Sequence, residues 1–167
     1  PKDYVKKIFT LVLKGHIAVA NTDLKKNSTG KSIDVKARKF LKKNKLDYNH
    51  GTGHGVGFFL NVHEGPQSIS KINKVKIKEG MILSNEPGYY KKNKFGIRIE
   101  NLVFVKKMSN KLFFENLTLA PIEKDLINFN MLTQIEKNYL FKYHMNVYSK
   151  ISKYLKLKER KWLASFI

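Results

Sequence analysis

The sequence predicts an α+β fold in which helices at both ends of the chain enclose a block of strands. Apolar residues recur at helical spacing before residue 42 and again in the last third of the chain. Between His50 and Ala120, runs rich in β-branched and aromatic residues are separated by Gly, Asn and Lys turns. Because the strands form one block and do not alternate with helices, this order is typical of an α+β protein.

The first helix is predicted over about Lys2–Asn21, with Asp3 as a helix-start residue. Its apolar stripe consists of Val5, Ile8, Phe9, Val12, His16 and Val19. A polar connection over 27–30 leads to a second, short helix, for which Ser32 or Asp34 can serve as the N-cap. The apolar residues of this second helix are Ile33, Ala37, Phe40 and Leu41.

The strands are predicted in three runs, "MILSNE", "FGIRIENLVFV" and "KLFFENLTLA". Glu86 ends the first run, because Pro87 lacks the N–H that would continue a ladder. Glu100 lies inside the second run, on the same face as Arg98. After the strands, Thr133–Glu136 forms the capping box of a last helical region. Its apolar residues at near-helical spacing are Leu140, Val147, Ile151 and Leu155.

Residues His50–Gly57, "HGTGHGVG", contain four glycines, which would cost a helix about 1 kcal/mol each. In an extended segment the glycines share one face, and the histidines share the other with Thr52 and Val56. The bare glycine face lets another backbone approach closely. His50 and His54 would then lie roughly 13 Å apart, too far to bind one metal ion. One can be a ligand while the other lies further along a cleft, or both can be hydrogen-bonded core or surface histidines.

Two carboxylates in the strand block indicate a metal site. A carboxylate among apolar residues is costly unless it is paired or bound to a cation. Glu100 can simply pair with Arg98, and Glu86 can be a solvated strand end. Together with one histidine, and without cysteine, the two carboxylates suit Mn(II) or Fe(II), and zinc is also compatible.

The composition narrows the classes of function. The absence of cysteine excludes disulfide scaffolds, zinc-thiolate sites and thiol nucleophiles. No apolar run is long enough for a membrane span, and the N-terminus lacks a signal-peptide pattern, so we expect a cytoplasmic protein. The net charge of +20 invites a nucleic-acid partner, but only three of the 33 basic residues are arginine, which argues against specific nucleic-acid binding.

Several long blocks resemble the C-terminal catalytic region of aminopeptidase P, the Xaa-Pro aminopeptidases of the pita-bread metallopeptidase family. They are "FTLVLKGHIA", "LDYNHGTGHGVGFFLNVHEGPQSIS" and "EGMILSNEPGYYKKNKFGIRIENLVFV", followed by "LTLAPI", "YHMNVY" and "KWL". The resemblance implies the C-terminal portion of a pita-bread fold, with an antiparallel curved sheet flanked by helices. It places residues 1–120 in the catalytic domain and makes 121–167 a helical extension packed on that domain.

The resemblance also implies roles for individual residues. The family binds two metal ions, usually Mn(II), through two aspartates, one histidine and two glutamates. The histidine corresponds to His54 and the glutamates to Glu86 and Glu100, of which Glu100 is expected to bridge the metals. His63 matches a histidine that contacts substrate and stabilises the tetrahedral intermediate, and His50 matches one that lines the substrate pocket.

The implied activity is hydrolysis of the bond before a proline at the second position of a peptide. Glu86 is expected to act as general base and then general acid. Arg98 is expected to orient Glu100 or a neighbouring ligand. Asn93 occupies a turn where the family often has glycine, and asparagine tolerates the positive φ of such a turn.

The family's two aspartate ligands have no counterpart, because they precede the helix that begins near "FTLVLKGH". Asp23 and Asp34 imitate their spacing but follow this helix, so neither is expected to be a ligand. We therefore expect little activity from this chain unless a separate N-terminal chain or a remainder outside this sequence supplies the aspartates. The alternatives are an inactive split-gene remnant and a non-catalytic binding protein with a basic surface. A homo-oligomer is left open.

Overall fold

The helices lie at the two ends of the chain and the strands between them, as predicted. The computed structural model describes residues 1–24, 29–59 and 61–167, so positions 27 and 28 of the predicted polar connection lie outside the described residues. The helices are α1 (Asp3–Ala20), α2 (Gly30–Lys43), α3 (Gln134–Ile151) and α4 (Leu157–Ala164). The strands are β1 (Gly53–His54), β2 (Ser68–Ile69), β3 (Ile82–Asn85), β4 (Gly88–Lys91), β5 (Phe95–Arg98), β6 (Asn101–Met108) and β7 (Lys111–Asn116). The α+β class is confirmed.

The described residues divide into two units. One comprises Leu11–Thr118 and contains all seven strands; the other comprises Pro1–Thr10 and Leu119–Ile167. No helix in the described part of the chain is long and apolar enough to cross a membrane. The predicted division into 1–120 and 121–167 stays a prediction.

A three-stranded antiparallel sheet in the order β3-β6-β7 forms the centre of the Leu11–Thr118 unit. Leu83 pairs with Val103, and Val105 pairs with Phe114, so alternate apolar side chains of the three strands point to one core. The buried residues of this core are Val19, Leu24, Ile33, Ala37, Ile69, Ile77, Leu83, Val103, Val105 and Phe114. Strands β4 and β5 form a separate hairpin. Asn93 in its turn has φ +56°, the conformation anticipated for it.

The glycine-rich segment runs antiparallel along the outer edge of β3. The Glu86 amide donates to the Thr52 carbonyl at 2.7 Å, and the Val56 amide donates to the Ile82 carbonyl at 3.1 Å. A Cβ on Gly53 would lie 1.9 Å from the Ser84 carbonyl oxygen. The predicted close approach of another backbone to the glycine face is therefore confirmed, and at Gly53 it excludes every other residue.

The N-cap predicted for α2 is wrong. The cap is Thr29, whose hydroxyl accepts a hydrogen bond from the Ser32 amide, and the helix begins at Gly30. Gly30 passes so close to the Ser68 carbonyl that a Cβ would lie 1.8 Å from its oxygen. The helix therefore starts earlier than local sequence suggests, where it meets a strand remote in the chain. Asp34 lies within the helix and is buried.

The second predicted strand run is broken. Strand β5 ends at Arg98 and β6 begins at Asn101, so Glu100 lies in the break between them and not inside a strand. The break has a physical cause, because β5 pairs with β4 whereas β6 pairs with β3 and β7. The third run also stops early, since β7 ends at Asn116.

The second unit is mainly helical. Thr133 and Glu136 form the predicted capping box at the start of α3. Leu140 and Val147 are buried on this helix, whereas Leu155 lies beyond its end. Burial lowers the pKa of His144, and its Nε2 accepts a hydrogen bond from the Ile122 amide.

Candidate functional site

Three side chains converge at one edge of the Leu11–Thr118 unit. In the part of the chain that the structure describes, His54, Glu86 and Glu100 each offer one ligand atom, and these atoms lie within 4.8 Å of one another. His54 ends β1, Glu86 follows β3, and Glu100 precedes β6. The structure thus brings together the three side chains that the sequence analysis selected as metal ligands.

The strand pairing explains the convergence. Asn85 pairs with Asn101 at the end of the β3–β6 ladder, so the next residues along, Glu86 and Glu100, face each other just beyond it. On the other side, Glu86 is bonded to Thr52. His54 lies two residues further along the same extended segment, on the same face as Thr52.

Two of the three ligand side chains are sheltered and one is open. Glu86 is 8% exposed, whereas the side chain of Glu100 is 44% exposed. The His54 Nε2 lies 3.4 Å from Glu86 Oε1. Arg98 Nη1 lies 3.5 Å from Glu86 Oε2 and 3.9 Å from Glu100 Oε2, so the guanidinium lies between the carboxylates. Arg98 therefore contacts both carboxylates, and its role in orienting Glu100 or a neighbouring ligand stays a prediction.

The hydrogen bonding of His54 leaves one nitrogen available to a cation. Nδ1 lies 3.0 Å from the Gly55 carbonyl oxygen, which can only accept, so Nδ1 carries the proton. The lone pair of Nε2 then faces Glu86 Oε1. Two lone pairs this close repel unless a cation lies between them. One imidazole nitrogen and two carboxylates fit a divalent metal of hard-to-borderline character.

All three predicted histidines line one cavity. It has a volume of about 330 Å³ and is bordered by His50, Gly51, Gly53, His54, His63, Glu86 and Arg98. The ring of His63 lies against that of His54, with centroids 4.0 Å apart. His50 lies further along the cavity, as anticipated for a histidine four residues from a ligand.

Tyr90 links His50 to Arg98, and sequence reasoning missed it. Arg98 Nε donates to the Tyr90 hydroxyl at 2.9 Å, and this hydroxyl lies 2.8 Å from His50 Nε2. Because His50 Nδ1 lies 2.7 Å from the Gly51 carbonyl, Nε2 is the acceptor of the tyrosine proton. The hydrogen bond to Tyr90 raises the pKa of Arg98. The available signal was Gly96, which pairs with Tyr90 and leaves room for its ring.

A second charged cluster lies buried beside the glycine-rich segment. Arg38 is 2% exposed and donates to Asp34 Oδ2 at 2.8 Å and to Asp47 Oδ1 at 2.7 Å. It also donates to the carbonyls of Tyr48 and His50, both at 2.7 Å. Burial alone would lower the pKa of Arg38, but the hydrogen bonds to the two aspartates raise it.

The same cluster reaches Thr52. The Thr52 hydroxyl donates to Asp34 Oδ1 at 2.6 Å, and its carbonyl accepts from the Glu86 amide. Asp34 is therefore used within the protein, by Arg38 and Thr52. The Asp-Arg pair, at helical i,i+4 spacing beside apolar residues, was the sequence signal for this cluster.

The comparisons with known proteins agree over almost the whole chain. A model of metallopeptidase family M24 matches residues 1–107, and a model of the C-terminal region of peptidase M24 matches residues 110–165. A probable Xaa-Pro aminopeptidase P from Laccaria bicolor is 46% identical, over 93% of this chain and 26% of that protein. A second, from Pyrenophora tritici-repentis, is also 46% identical and is covered to 28%. The chain thus spans under a third of these relatives.

Solved structures show the same relationship. The X-prolyl aminopeptidase from Caenorhabditis elegans, described as a cytosolic enzyme with a di-nuclear active site, matches with a TM-score of 0.90 at 39% identity. The match covers 99% of this chain and 29% of that one. X-Pro aminopeptidase from Thermotoga maritima matches with a TM-score of 0.62 at 35% identity, over 74% of this chain and 33% of that one. The pita-bread fold predicted from the sequence is confirmed.

Proposed function

We propose, from the premise that this chain belongs to metallopeptidase family M24, that it forms part of the active site of a metal-dependent Xaa-Pro aminopeptidase. The observation that carries the proposal is the convergence of ligand atoms of His54, Glu86 and Glu100 within 4.8 Å, at a point where His54 and Glu86 line a cavity. The names of the curated relatives support the choice of substrate, a peptide with proline at its second position.

The donor set supports divalent metal ions, and we propose Mn(II). Two of the three ligands are carboxylates, which manganese accepts readily, and no thiolate is present. The di-nuclear site of the Caenorhabditis elegans enzyme supports a pair of ions. Divalent metals in such sites polarise a carbonyl group and make water nucleophilic near neutral pH.

The protein groups around the cavity suit the remaining steps. In this proposal Glu86 accepts a proton from the attacking water and passes it to the leaving nitrogen. His63, whose ring lies against that of His54, donates to the carbonyl oxygen as negative charge develops on it. His50 borders the same cavity and is held by Tyr90, so it can contact the bound peptide.

The described residues supply three of the five ligands that the resemblance implies. We propose that the 167-residue chain alone hydrolyses peptides poorly, and that the two aspartates come from a separate chain or from a longer reading frame. The cytosolic Caenorhabditis elegans relative and the absence of cysteine support a cytoplasmic location.

An assay on an Xaa-Pro-Pro peptide with added Mn(II) tests this proposal. We expect turnover by the product of the complete reading frame and little or none by the 167-residue chain. In the active form, Glu86→Ala is expected to lower kcat by roughly 10²- to 10⁴-fold, the usual contribution of a general acid–base group. Full activity of Glu86→Ala, or no hydrolysis by any form supplied with metal, would contradict the proposal.

A further inference from the structure

Ser84 occupies an unusual place in the pairing between β3 and the glycine-rich segment. Backbone hydrogen bonds join Glu86 to Thr52 and Val56 to Ile82, and the His54 amide lies between these two bonds. An antiparallel ladder would pair that amide with a backbone carbonyl. Here it donates to the Ser84 hydroxyl oxygen instead, at 2.9 Å.

The same hydroxyl reaches the neighbouring ligand. Ser84 and Glu86 are two residues apart and share one face of the extended chain. Ser84 Oγ lies 2.8 Å from Glu86 Oε1. Because the oxygen already accepts from the His54 amide, its single proton is free for the carboxylate. The serine is fully buried, so water does not compete for either bond.

The contacted carboxylate oxygen is the one that faces the imidazole. Glu86 Oε1 lies 3.4 Å from His54 Nε2, whereas Oε2 faces Arg98. One hydroxyl thus fixes the main chain of the nitrogen ligand and the side chain of the oxygen ligand at the same time. Removing it would leave a buried amide without an acceptor and would leave Oε1 of the carboxylate without its hydrogen-bond donor.

We propose that Ser84 is a positioning residue that sets the spacing between His54 and Glu86, and thereby the affinity of the metal site. This inference rests on the proposed function, because it concerns the same three ligands. Groups that hydrogen-bond to metal ligands from outside commonly change metal affinity by 10- to 100-fold when they are removed.

The test is titration of Mn(II) into the metal-free product of the complete reading frame, read by calorimetry, for the wild type and three variants at Ser84. Ser84→Ala is expected to raise the Kd by roughly 10- to 100-fold. Ser84→Thr keeps the hydroxyl and is expected to stay within about threefold of the wild type. Ser84→Cys keeps the size but offers only a weak donor, so its Kd is expected to lie between the other two.

Thr22→Val is the matched control, because Thr22 is also buried and its hydroxyl donates to the Ala18 carbonyl at 2.9 Å. It should lose stability as Ser84→Ala does and leave the Kd unchanged. If Ser84→Ala does not fold, Ser84→Thr and Ser84→Cys are compared instead, and Ser84→Cys is expected to bind Mn(II) more weakly.

The outcomes separate the two proposals. Wild-type affinity in Ser84→Ala, or an equal loss in Ser84→Ala and Thr22→Val, overturns the role of Ser84 and leaves the proposed function standing. Absence of Mn(II) binding by the wild type overturns the proposed function, and the role of Ser84 with it. A metal-free structure of Ser84→Ala with Glu86 unmoved also overturns the role of Ser84.

Discussion

Two clusters of charged side chains lie in the Leu11–Thr118 unit, and they use their hydrogen-bonding capacity differently. Around Arg38, four N–H groups meet two aspartates and two backbone carbonyls, and Asp34 also accepts from Thr52. Around Glu86, the ligand atoms of His54 and Glu100 face one another across a gap. The first cluster uses four of the five N–H groups of Arg38 within the protein, whereas the second retains free lone pairs.

This difference separates a structural cluster from a chemical one. Buried charges are compatible with stability when their hydrogen-bond donors and acceptors are paired within the protein. Such a cluster has few donors or acceptors free to bind a ligand. A cluster of acceptors turned toward a cavity is costly by itself and becomes favourable when a cation enters. Judged by charge and burial alone, Arg38 would be the stronger candidate for a functional residue. The unused lone pairs favour Glu86 instead.

The largest effect on the free energy of unfolding is expected when the arginine of each cluster is replaced in turn. Arg38→Met leaves Asp34 buried and unpaired, so we expect the free energy of unfolding to fall by about 3–5 kcal/mol. Arg98→Met, at a side chain that is 45% exposed, should cost less than about 1 kcal/mol. Urea denaturation of both variants measures this. Equal losses would show that the two clusters do not differ as described.

The pH dependence of stability reports on a third buried group, His16, which belongs to neither cluster. Burial lowers the pKa of His16 from 6.5 to about 4. The unfolded chain therefore binds a proton more readily than the folded chain between these values, and stability falls as pH drops from about 6.5 to 4, by roughly 3 kcal/mol. We expect urea unfolding of His16→Leu to lose less stability over this range than the wild type.

His144, whose pKa burial also lowers, is expected to leave a smaller residual slope in that variant. An identical pH dependence in the wild type and His16→Leu would mean that His16 is not held neutral by burial.

The smallest effect is expected at the link between His50 and Arg98. Tyr90→Phe removes the hydroxyl that links Arg98 and His50 and keeps the ring, so kcat/KM should fall about tenfold, which corresponds to about 1.4 kcal/mol. The assay is Xaa-Pro-Pro hydrolysis by the active form. Tyr89→Phe, on the other face of β4, is the control and should leave kcat/KM as it is. An equally large fall in kcat/KM for Tyr89→Phe would contradict a specific role for the Tyr90 hydroxyl.

The sequence predicted the site better than its surroundings. The spacing of His50 and His54 showed that the two histidines cannot bind one metal ion, because an extended chain rises about 3.3 Å per residue whatever it pairs with; the resemblance assigned the role of ligand to His54. Glu86 was placed at a strand end because Pro87 stops the ladder locally. These predictions depended on neighbours in sequence, and the geometry agrees with them.

The features that were missed depend on contacts remote in sequence. The Thr29 cap follows from how Gly30 passes Ser68, and the break at Glu100 follows from β5 and β6 having different partners. In the sequence, Ser84 is an ordinary strand residue. Its hydrogen bond with the His54 amide appears only when the glycine-rich segment pairs with β3. No local pattern encodes a register between distant segments, so only the fold reveals these roles.

The contact of Gly53 with the Ser84 carbonyl has a consequence for the proposed metal site. Metal–ligand distances tolerate deviations of only about 0.2 Å, whereas a methyl group at position 53 would lie 1.9 Å from that carbonyl oxygen. The backbone next to His54 would have to move to make room for it, by more than metal coordination would tolerate. A side chain at position 53 is therefore expected to disturb the proposed site without itself touching an ion.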